Sequence, residues 1–108
     1  MNLHHLKEKK ELDELVEKSK GKLIVIDFFA TWCGPCKFAA PQFEKLSKHY
    51  TNVVFVKIDV EEADELATFY NIQAMPTFIF LKDGQIIKTM QGFDADELKT
   101  TIDNYHKN

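Results

Sequence analysis

The chain has no arginine, and its 14 basic residues other than histidine are all lysines, set against 17 acidic residues for a net charge of −3. Arginine is the side chain that forks onto guanine edges and phosphates, and no lysine cluster here is dense enough to replace it. We therefore do not expect a nucleic-acid partner.

A long apolar run and a targeting segment are also missing. The longest apolar stretch, Leu23 to Ala30, is interrupted by Asp27 and is far too short to span a bilayer. The chain does not start with a basic segment and an apolar run, as a secretory signal would, and it does not end in a retention signal. We expect a cytoplasmic protein without membrane association. Its length allows one hydrophobic core, so residues 1–108 are predicted to form a single domain.

Cysteine is scarce, and the two that occur, Cys33 and Cys36, are separated by two residues. Two cysteines are too few for a disulfide scaffold, so the pair is expected to be either redox-active or metal-binding. A metal site would also need two of the four histidines to converge on both sulfurs, and no spacing supports this. With no glycine-rich nucleotide loop either, we expect no metal and no bound nucleotide cofactor.

The apolar pattern predicts alternating helices and strands, which indicates an α/β fold with a central mixed sheet. Asp83-Gly84 is a hairpin signal, which adds antiparallel strands at one side. The predicted elements are a helix over Glu11–Glu17, a strand over Leu23–Phe29, a helix from the cysteines to about Tyr50, a strand over Val53–Val60, a helix over Ala63–Tyr70, strands over Thr77–Leu81 and Gln85–Met90, and a helix from Asp94, with a weaker edge strand at Leu3–Leu6. The predicted apolar faces are Phe38, Ala39, Phe43 and Leu46 in the second helix and Leu98, Ile102 and Tyr105 in the last.

A helix that begins at the cysteine pair would place Cys33 at its N-terminus. A thiol attacks a disulfide only as the thiolate, and an unperturbed cysteine is only about 3% thiolate at pH 7. The free N–H groups and the dipole of a helix N-terminus stabilise that anion. We therefore predict that Cys33 is the nucleophile and that Cys36, one turn further along, is the resolving thiol. Pro35 fixes the turn, and Gly34 leaves room for another backbone beside Cys33.

The segment Trp32-Cys33-Gly34-Pro35-Cys36-Lys37, which follows Asp27-Phe28-Phe29-Ala30-Thr31 and precedes Met75-Pro76-Thr77, resembles the thioredoxin family. The similarity spans nearly the whole chain. It implies the thioredoxin fold, a central five-stranded mixed β-sheet flanked by four α-helices, and a cis Met75–Pro76 bond beside the cysteines. It also implies a protein-disulfide reductase, an electron-carrying oxidoreductase that maintains cell redox homeostasis.

Two charged residues take roles from this resemblance. An ionised Asp27 in an apolar strand is costly, so it either lies at a strand end in contact with water or is a buried acid with a raised pKa. The resemblance favours the second role, in which Asp27 takes the proton from Cys36. Lys57, in the next strand, either pairs with Asp27 and tunes its charge or reaches solvent.

The resemblance also implies an apolar rim around Cys33, where an extended segment of a partner protein pairs with the backbone beside the cis proline. The residues assigned to this substrate-binding rim are Trp32, Met75, Pro76, Thr77, Gly92 and Phe93. Phe29 is a departure, since bacterial members usually carry tryptophan there, and the Ala-Thr-Trp-Cys and Ala-Met-Pro-Thr-Phe strings look closer to eukaryotic cytosolic members. This substitution is expected to leave the chemistry unchanged.

The implied partners are an NADPH-dependent flavoenzyme, thioredoxin reductase, and disulfide-containing proteins such as peroxiredoxins, ribonucleotide reductase and methionine sulfoxide reductase, with the chain itself a monomer. Two alternatives stay open. One is a disulfide oxidase or isomerase of the same fold, which commonly has histidine where this chain has Pro35. The other is a non-catalytic binding subunit that uses only the apolar rim.

Overall fold

The computed structural model describes residues 2–107, so the first and last residues of the predicted domain lie outside the described part. The described residues form, in chain order, β1 (Leu3–His5), α1 (Lys9–Lys18), β2 (Leu23–Phe29), α2 (Gly34–His49), β3 (Val54–Asp59), α3 (Asp64–Phe69), β4 (Thr77–Lys82), β5 (Gln85–Gln91) and α4 (Ala95–Tyr105). The predicted order of elements is confirmed, including the edge strand at β1. In this part of the chain, no helix combines the length and the apolar character needed to cross a membrane.

The strands of the described residues pair in the order β1-β3-β2-β4-β5, which makes a five-stranded mixed sheet. β2 pairs in parallel with β3, because α2 crosses over between them, and β1 extends the parallel part. β4 and β5 pair antiparallel through the predicted hairpin. Asp83 and Gly84 both have positive φ angles, 51° and 81°, as a two-residue type I′ turn requires. The expected mixed sheet flanked by four helices is therefore confirmed.

β2 is buried on both faces, which explains why its sequence is almost continuously apolar. On one face Leu23 and Val25 join a core cluster with Ala39 and Phe43 of α2, and α4 adds Leu98 and Ile102. The opposite face packs against α1 and α3 and carries the even-numbered residues Ile24, Ile26 and Phe28. Asp27 follows Leu23 and Val25 in the alternation, so it lies on the face that α2 covers.

Two predicted apolar faces are only partly correct. Cys36, Ala39 and Phe43 are the buried side of α2, and Phe38 lies outside that side with 74% of its surface exposed. Successive side chains of a helix are rotated by 100°, so Phe38, one position before the buried Ala39, extends away from the buried side. In α4, Tyr105 is 36% exposed because it is the last residue of the helix, beyond the core.

α2 continues through Pro41 to His49, so this proline lies inside the helix. A proline has no N–H, and the carbonyl of Lys37 therefore loses its usual helical donor at this point. Pro41 lies on the exposed side of α2, where water can reach the helix backbone.

We expect Asp94→Ala to lower the free energy of unfolding by about 1 kcal/mol, because Asp94 is the N-cap of α4 and its side chain accepts a hydrogen bond from the N–H of Glu97 at 3.0 Å. Urea unfolding of the two proteins measures the difference. Asp94→Ser keeps a capping oxygen and serves as the control, which should retain most of the stability. Equal losses in the two variants would contradict the capping role.

Candidate redox site

Cys33 and Cys36 form a disulfide at the start of α2, with their Cα atoms 5.3 Å apart. Each residue is only 5% exposed, so overall exposure does not distinguish a nucleophile from a resolving thiol. The two sulfurs lie in a small apolar cluster with Ala30, and Phe29 and Met75 pack against this cluster.

The position of the two residues in the helix does distinguish them. Cys33 is the N-cap of α2, with extended backbone angles, and its sulfur accepts a hydrogen bond from the N–H of Cys36 at 3.2 Å. At the N-cap of other helices the acceptor is commonly a side-chain oxygen of serine or aspartate, whereas here it is the sulfur of Cys33. When the disulfide is open, the same N–H and the helix dipole favour negative charge on Cys33.

Pro35 lies in the first turn of α2, where its missing N–H costs no helical hydrogen bond. Gly34 precedes it, and a Cβ atom added to Gly34 would meet no other atom within 4 Å. The backbone beside Cys33 is therefore open to an approaching chain.

A second loop lies against the cysteine pair. The peptide bond between Met75 and Pro76 is cis, and the carbonyl oxygen of Met75 lies 3.5 Å from the Cys33 sulfur. The carbonyl of Pro76 accepts a hydrogen bond from the N–H of Gly92 at 2.8 Å, which connects this loop to the end of β5. The cis bond implied by the family resemblance is confirmed, and it lies beside Cys33.

The predicted rim residues differ in exposure. Trp32 is 65% exposed, Gly92 is exposed, and Met75 is half-buried beside the cysteines. Thr77 is buried and donates its hydroxyl hydrogen to the carbonyl of Ala74, so it lies behind the rim.

Phe93 also lies behind the rim. It packs against the core, with its ring 6.5 Å from that of Phe78. Of these predicted rim residues, Trp32 and Gly92 are therefore exposed, Met75 is half-buried, and Thr77 and Phe93 pack inward.

Asp27 lies in the interior of the sheet and is 1% exposed, which excludes a solvated strand end. Its Oδ1 atom has no hydrogen-bond partner among the described residues. Burial raises the pKa of the carboxyl from 3.8 to about 7, although the charge of Lys57 acts in the opposite direction. α2 covers the face of the sheet on which Asp27 lies. Cys36 is on the buried side of this helix, one turn before Ala39, so the carboxyl of Asp27 lies beneath the redox end of α2, the end that carries the cysteines.

Lys57 keeps part of its first predicted role, because its charge lowers the pKa of Asp27. It is the register partner of Asp27 in the neighbouring strand and is half-buried. Its Nζ atom lies 4.6 Å from the centre of the Phe29 ring, and the salt bridges of residues 2–107 do not include one between Lys57 and Asp27.

Sequence reasoning missed two neighbours of the cysteines, Phe29 and Val60, which both pack against the cysteine cluster. The sequence contained a signal for both residues, since each is the last residue of a predicted strand. Parallel strands end at the same edge of a sheet, so Phe29 and Val60 were expected to lie near the cysteine motif that follows β2.

The described residues contain no group of three or more His, Cys, Asp or Glu side chains that could hold a metal ion. The four histidines lie in β1, at the last residue of α2 and after α4.

Comparison with known proteins identifies relatives over most of the chain. The family model described as Thioredoxin matches residues 3–104. A protein described as Thioredoxin H-type from Oryza sativa subsp. indica is 47% identical over 96 residues, which are 87% of this chain and 79% of the relative. Thioredoxin-1 of Caenorhabditis elegans is 40% identical over 92 residues, 85% of this chain and 80% of the relative.

Solved structures agree with this result. The X-ray structure of Fasciola hepatica thioredoxin superposes with a TM-score of 0.93 at 43% identity and covers 96% of this chain and 99% of that one. The crystal structure of reduced Schistosoma mansoni thioredoxin pre-protein has a TM-score of 0.90 at 46% identity, with 95% and 97% covered.

We expect Asp27→Ala to stabilise the fold in a pH-dependent way. Between pH 3.8 and about 7 the folded state keeps a proton that the unfolded chain releases, so the stability of the native protein falls as the pH rises through this range. Asp27→Ala has no carboxyl at this position and does not lose stability in this way. The difference in the free energy of unfolding between the variant and the native protein should grow from near pH 4 to pH 7 and then level off, at about 4 kcal/mol at most.

Urea unfolding of both proteins at several pH values measures this difference. A difference that does not change between pH 4 and pH 8 would contradict the raised pKa of Asp27.

Proposed function

Because the chain belongs to the thioredoxin family, we propose that its reaction is divided among Cys33 as the attacking nucleophile, Cys36 as the resolving thiol and Asp27 as the group that exchanges the proton of Cys36. The protein is a thiol–disulfide oxidoreductase that reduces protein disulfides with this cysteine pair. The observation that carries the assignment is the N–H of Cys36 directed at the Cys33 sulfur, since it stabilises charge on one sulfur of the pair.

In the first step the Cys33 thiolate attacks one sulfur of the partner's disulfide. A bond forms between Cys33 and that sulfur, the partner's disulfide breaks, and the other partner sulfur leaves as a thiolate that takes a proton from water. The cis Met75–Pro76 loop and Gly92 offer backbone groups beside Cys33 on which an extended partner segment can pair. The exposed Trp32 supplies apolar contact area next to it.

In the second step Cys36 gives its proton to the carboxylate of Asp27 and attacks the Cys33 sulfur. The bond between Cys33 and the partner breaks, and the partner leaves with both sulfurs reduced. Two electrons have then passed from the dithiol to the partner, and Cys33 and Cys36 are joined as in the structure. A carboxyl whose pKa is about 7 can accept and release a proton at neutral pH, which an ordinary aspartate does poorly.

The same proposal extends to the oligomeric state, the cellular compartment and the partner proteins. The chain acts as a single domain and a monomer, without a metal or bound nucleotide, in the cytoplasm, where a reducing environment keeps a dithiol available. Thioredoxin reductase, an NADPH-dependent flavoenzyme, returns the two electrons. Peroxiredoxins, ribonucleotide reductase and methionine sulfoxide reductase are the proposed classes of substrate.

We expect Cys36→Ser to accumulate a covalent complex with a disulfide-bonded test protein, because Cys33 can still attack but nothing resolves the mixed disulfide. The complex should appear on a non-reducing gel and disappear with dithiothreitol. Cys33→Ser is the matched control and should trap far less. Turnover retained after both cysteines are replaced by serine would exclude the dithiol mechanism.

The reduction potential of the cysteine pair separates a reductase from an oxidase or isomerase of the same fold. We expect a value below the cytosolic glutathione poise, measured by equilibration with a defined thiol–disulfide buffer. Pro35→His places a cation beside the Cys33 thiolate, stabilises the reduced form and should raise the potential. A native potential well above the glutathione poise would contradict the reductase assignment.

A further inference from the structure

One cation in the sheet has two candidate partners on the same neighbouring strand. Lys57 of β3 is in register with Asp27 of β2, and side chains in register on adjacent strands extend from the same face. Phe29 is two residues beyond Asp27, so its ring extends from that face as well. Lys57 therefore has a carboxyl group directly opposite and an aromatic ring diagonally opposite, two residues further along β2.

The structure shows which partner Lys57 contacts. Its Nζ atom lies 4.6 Å from the centre of the Phe29 ring, within the range of a cation–π interaction. Asp27 is 1% exposed, its Oδ1 has no hydrogen-bond partner in residues 2–107, and no salt bridge in this part of the chain joins it to Lys57. The charge of Lys57 therefore acts on Asp27, but the lysine directly opposite forms no salt bridge with this buried carboxyl among the described residues.

We propose that Phe29 is a positioning residue for disulfide exchange, whose ring holds the Lys57 ammonium away from Asp27 and so leaves the carboxyl free to accept and release a proton. This inference rests on the proposed function of Asp27 as the proton-exchanging group. It also revises the expectation that the side chain at this position has no bearing on the chemistry.

The competition is physically reasonable because the two partners impose different costs. A salt bridge to Asp27 requires a buried carboxylate to be ionised and the ammonium to lose water. The ring attracts the same ammonium through its quadrupole while Lys57 stays half-buried and keeps part of its hydration. Without the ring, the four-carbon side chain of Lys57 can turn to the carboxyl opposite.

No other cation in this row is better placed to pair with Asp27. On the other side of β3, the register partner of Lys57 is the exposed His5 of β1, one strand further from Asp27. On β4 the register partner of Asp27 is the apolar Phe78, and the buried side of α2 presents Cys36, Ala39 and Phe43, which carry no cation. Asp59, opposite Phe29, is acidic.

Phe29 is also well placed to connect this pair with the redox centre. The ring packs against the cluster of Ala30, Cys33 and Cys36. The ring therefore contacts both the cluster that contains the two sulfurs and the ammonium that faces Asp27.

Phe29→Leu tests the proposal, with the pKa of Asp27 followed by the NMR chemical shift of its carboxyl carbon in the oxidised protein. Leucine fills much of the ring's volume but cannot attract the ammonium, so Lys57 should turn to Asp27. We expect the pKa of Asp27 to fall by at least about half a unit, equivalent to about 0.7 kcal/mol. Phe29→Trp keeps an aromatic face and should leave the pKa near the native value.

The same Phe29→Leu change in a Lys57→Met background separates the cation from packing. With no ammonium to release, the pKa of Asp27 should be unaffected by the second substitution. An unchanged or increased pKa in Phe29→Leu overturns the proposal, and so does an equal fall in both backgrounds, because water admitted to the site would then be the cause. Phe29→Met takes the place of the leucine variant if the latter does not fold.

This titration requires no turnover, so it is independent of the reductase assay. If the pKa of Asp27 falls in Phe29→Leu but the native protein has no reductase activity, the proposed function is refuted and the positioning of Lys57 stands. If the native protein is an active reductase but the pKa does not change in Phe29→Leu, the proposed function stands and the positioning of Lys57 is refuted.

Discussion

The hydrogen bond from the N–H of Cys36 to the sulfur of Cys33 is the point at which fold and chemistry coincide. It exists only because α2 begins at Gly34, directly after the loop that follows β2. That starting point depends in turn on the packing of Ala39 and Phe43 against the sheet, which holds the first turn over the ends of the parallel strands. The same contact that caps the helix therefore makes one sulfur of the pair the more stable anion.

The carboxyl beneath this turn works against the stability of the fold. Asp27 interrupts an otherwise apolar strand, and the charge it acquires above a pKa of about 7 has no hydrogen-bond partner at Oδ1 among the described residues. The surrounding core compensates for it with large buried side chains, such as Phe43 of α2, whose ring contacts those of Phe55 and Phe78 in the sheet. Burial of such rings is the favourable term that lets a domain of this size retain a costly group.

Local sequence signals predicted most of the fold because they match the physical periods of the elements. The apolar run of β2, the Asp83-Gly84 turn and the Asp94 cap each specify their structure within a few residues. Exposure was predicted less well. Phe38 looks like a core residue in the sequence, and only the packing of α2 on the sheet shows which side of the helix faces outward.

The candidate site was also predictable from the sequence only in part. The cysteine pair is visible in the sequence, and its place at a helix N-terminus follows from the strand before it. The cis Met75–Pro76 bond came from family resemblance, since sequence alone favours trans. The contact between Lys57 and Phe29 could not be predicted, because both partners of Lys57 lie on the same strand and only the side-chain conformation decides between them.

Pro41 has a consequence for how the molecule opens. The backbone hydrogen bond that it removes lies between the redox end of α2 and the half of the helix that ends at His49. A helix that lacks one bond in its ladder can separate into two segments of unequal local stability. Transient loosening can thus be confined to the first turns, around the cysteines, while the second half of α2 keeps its amide protons protected from exchange.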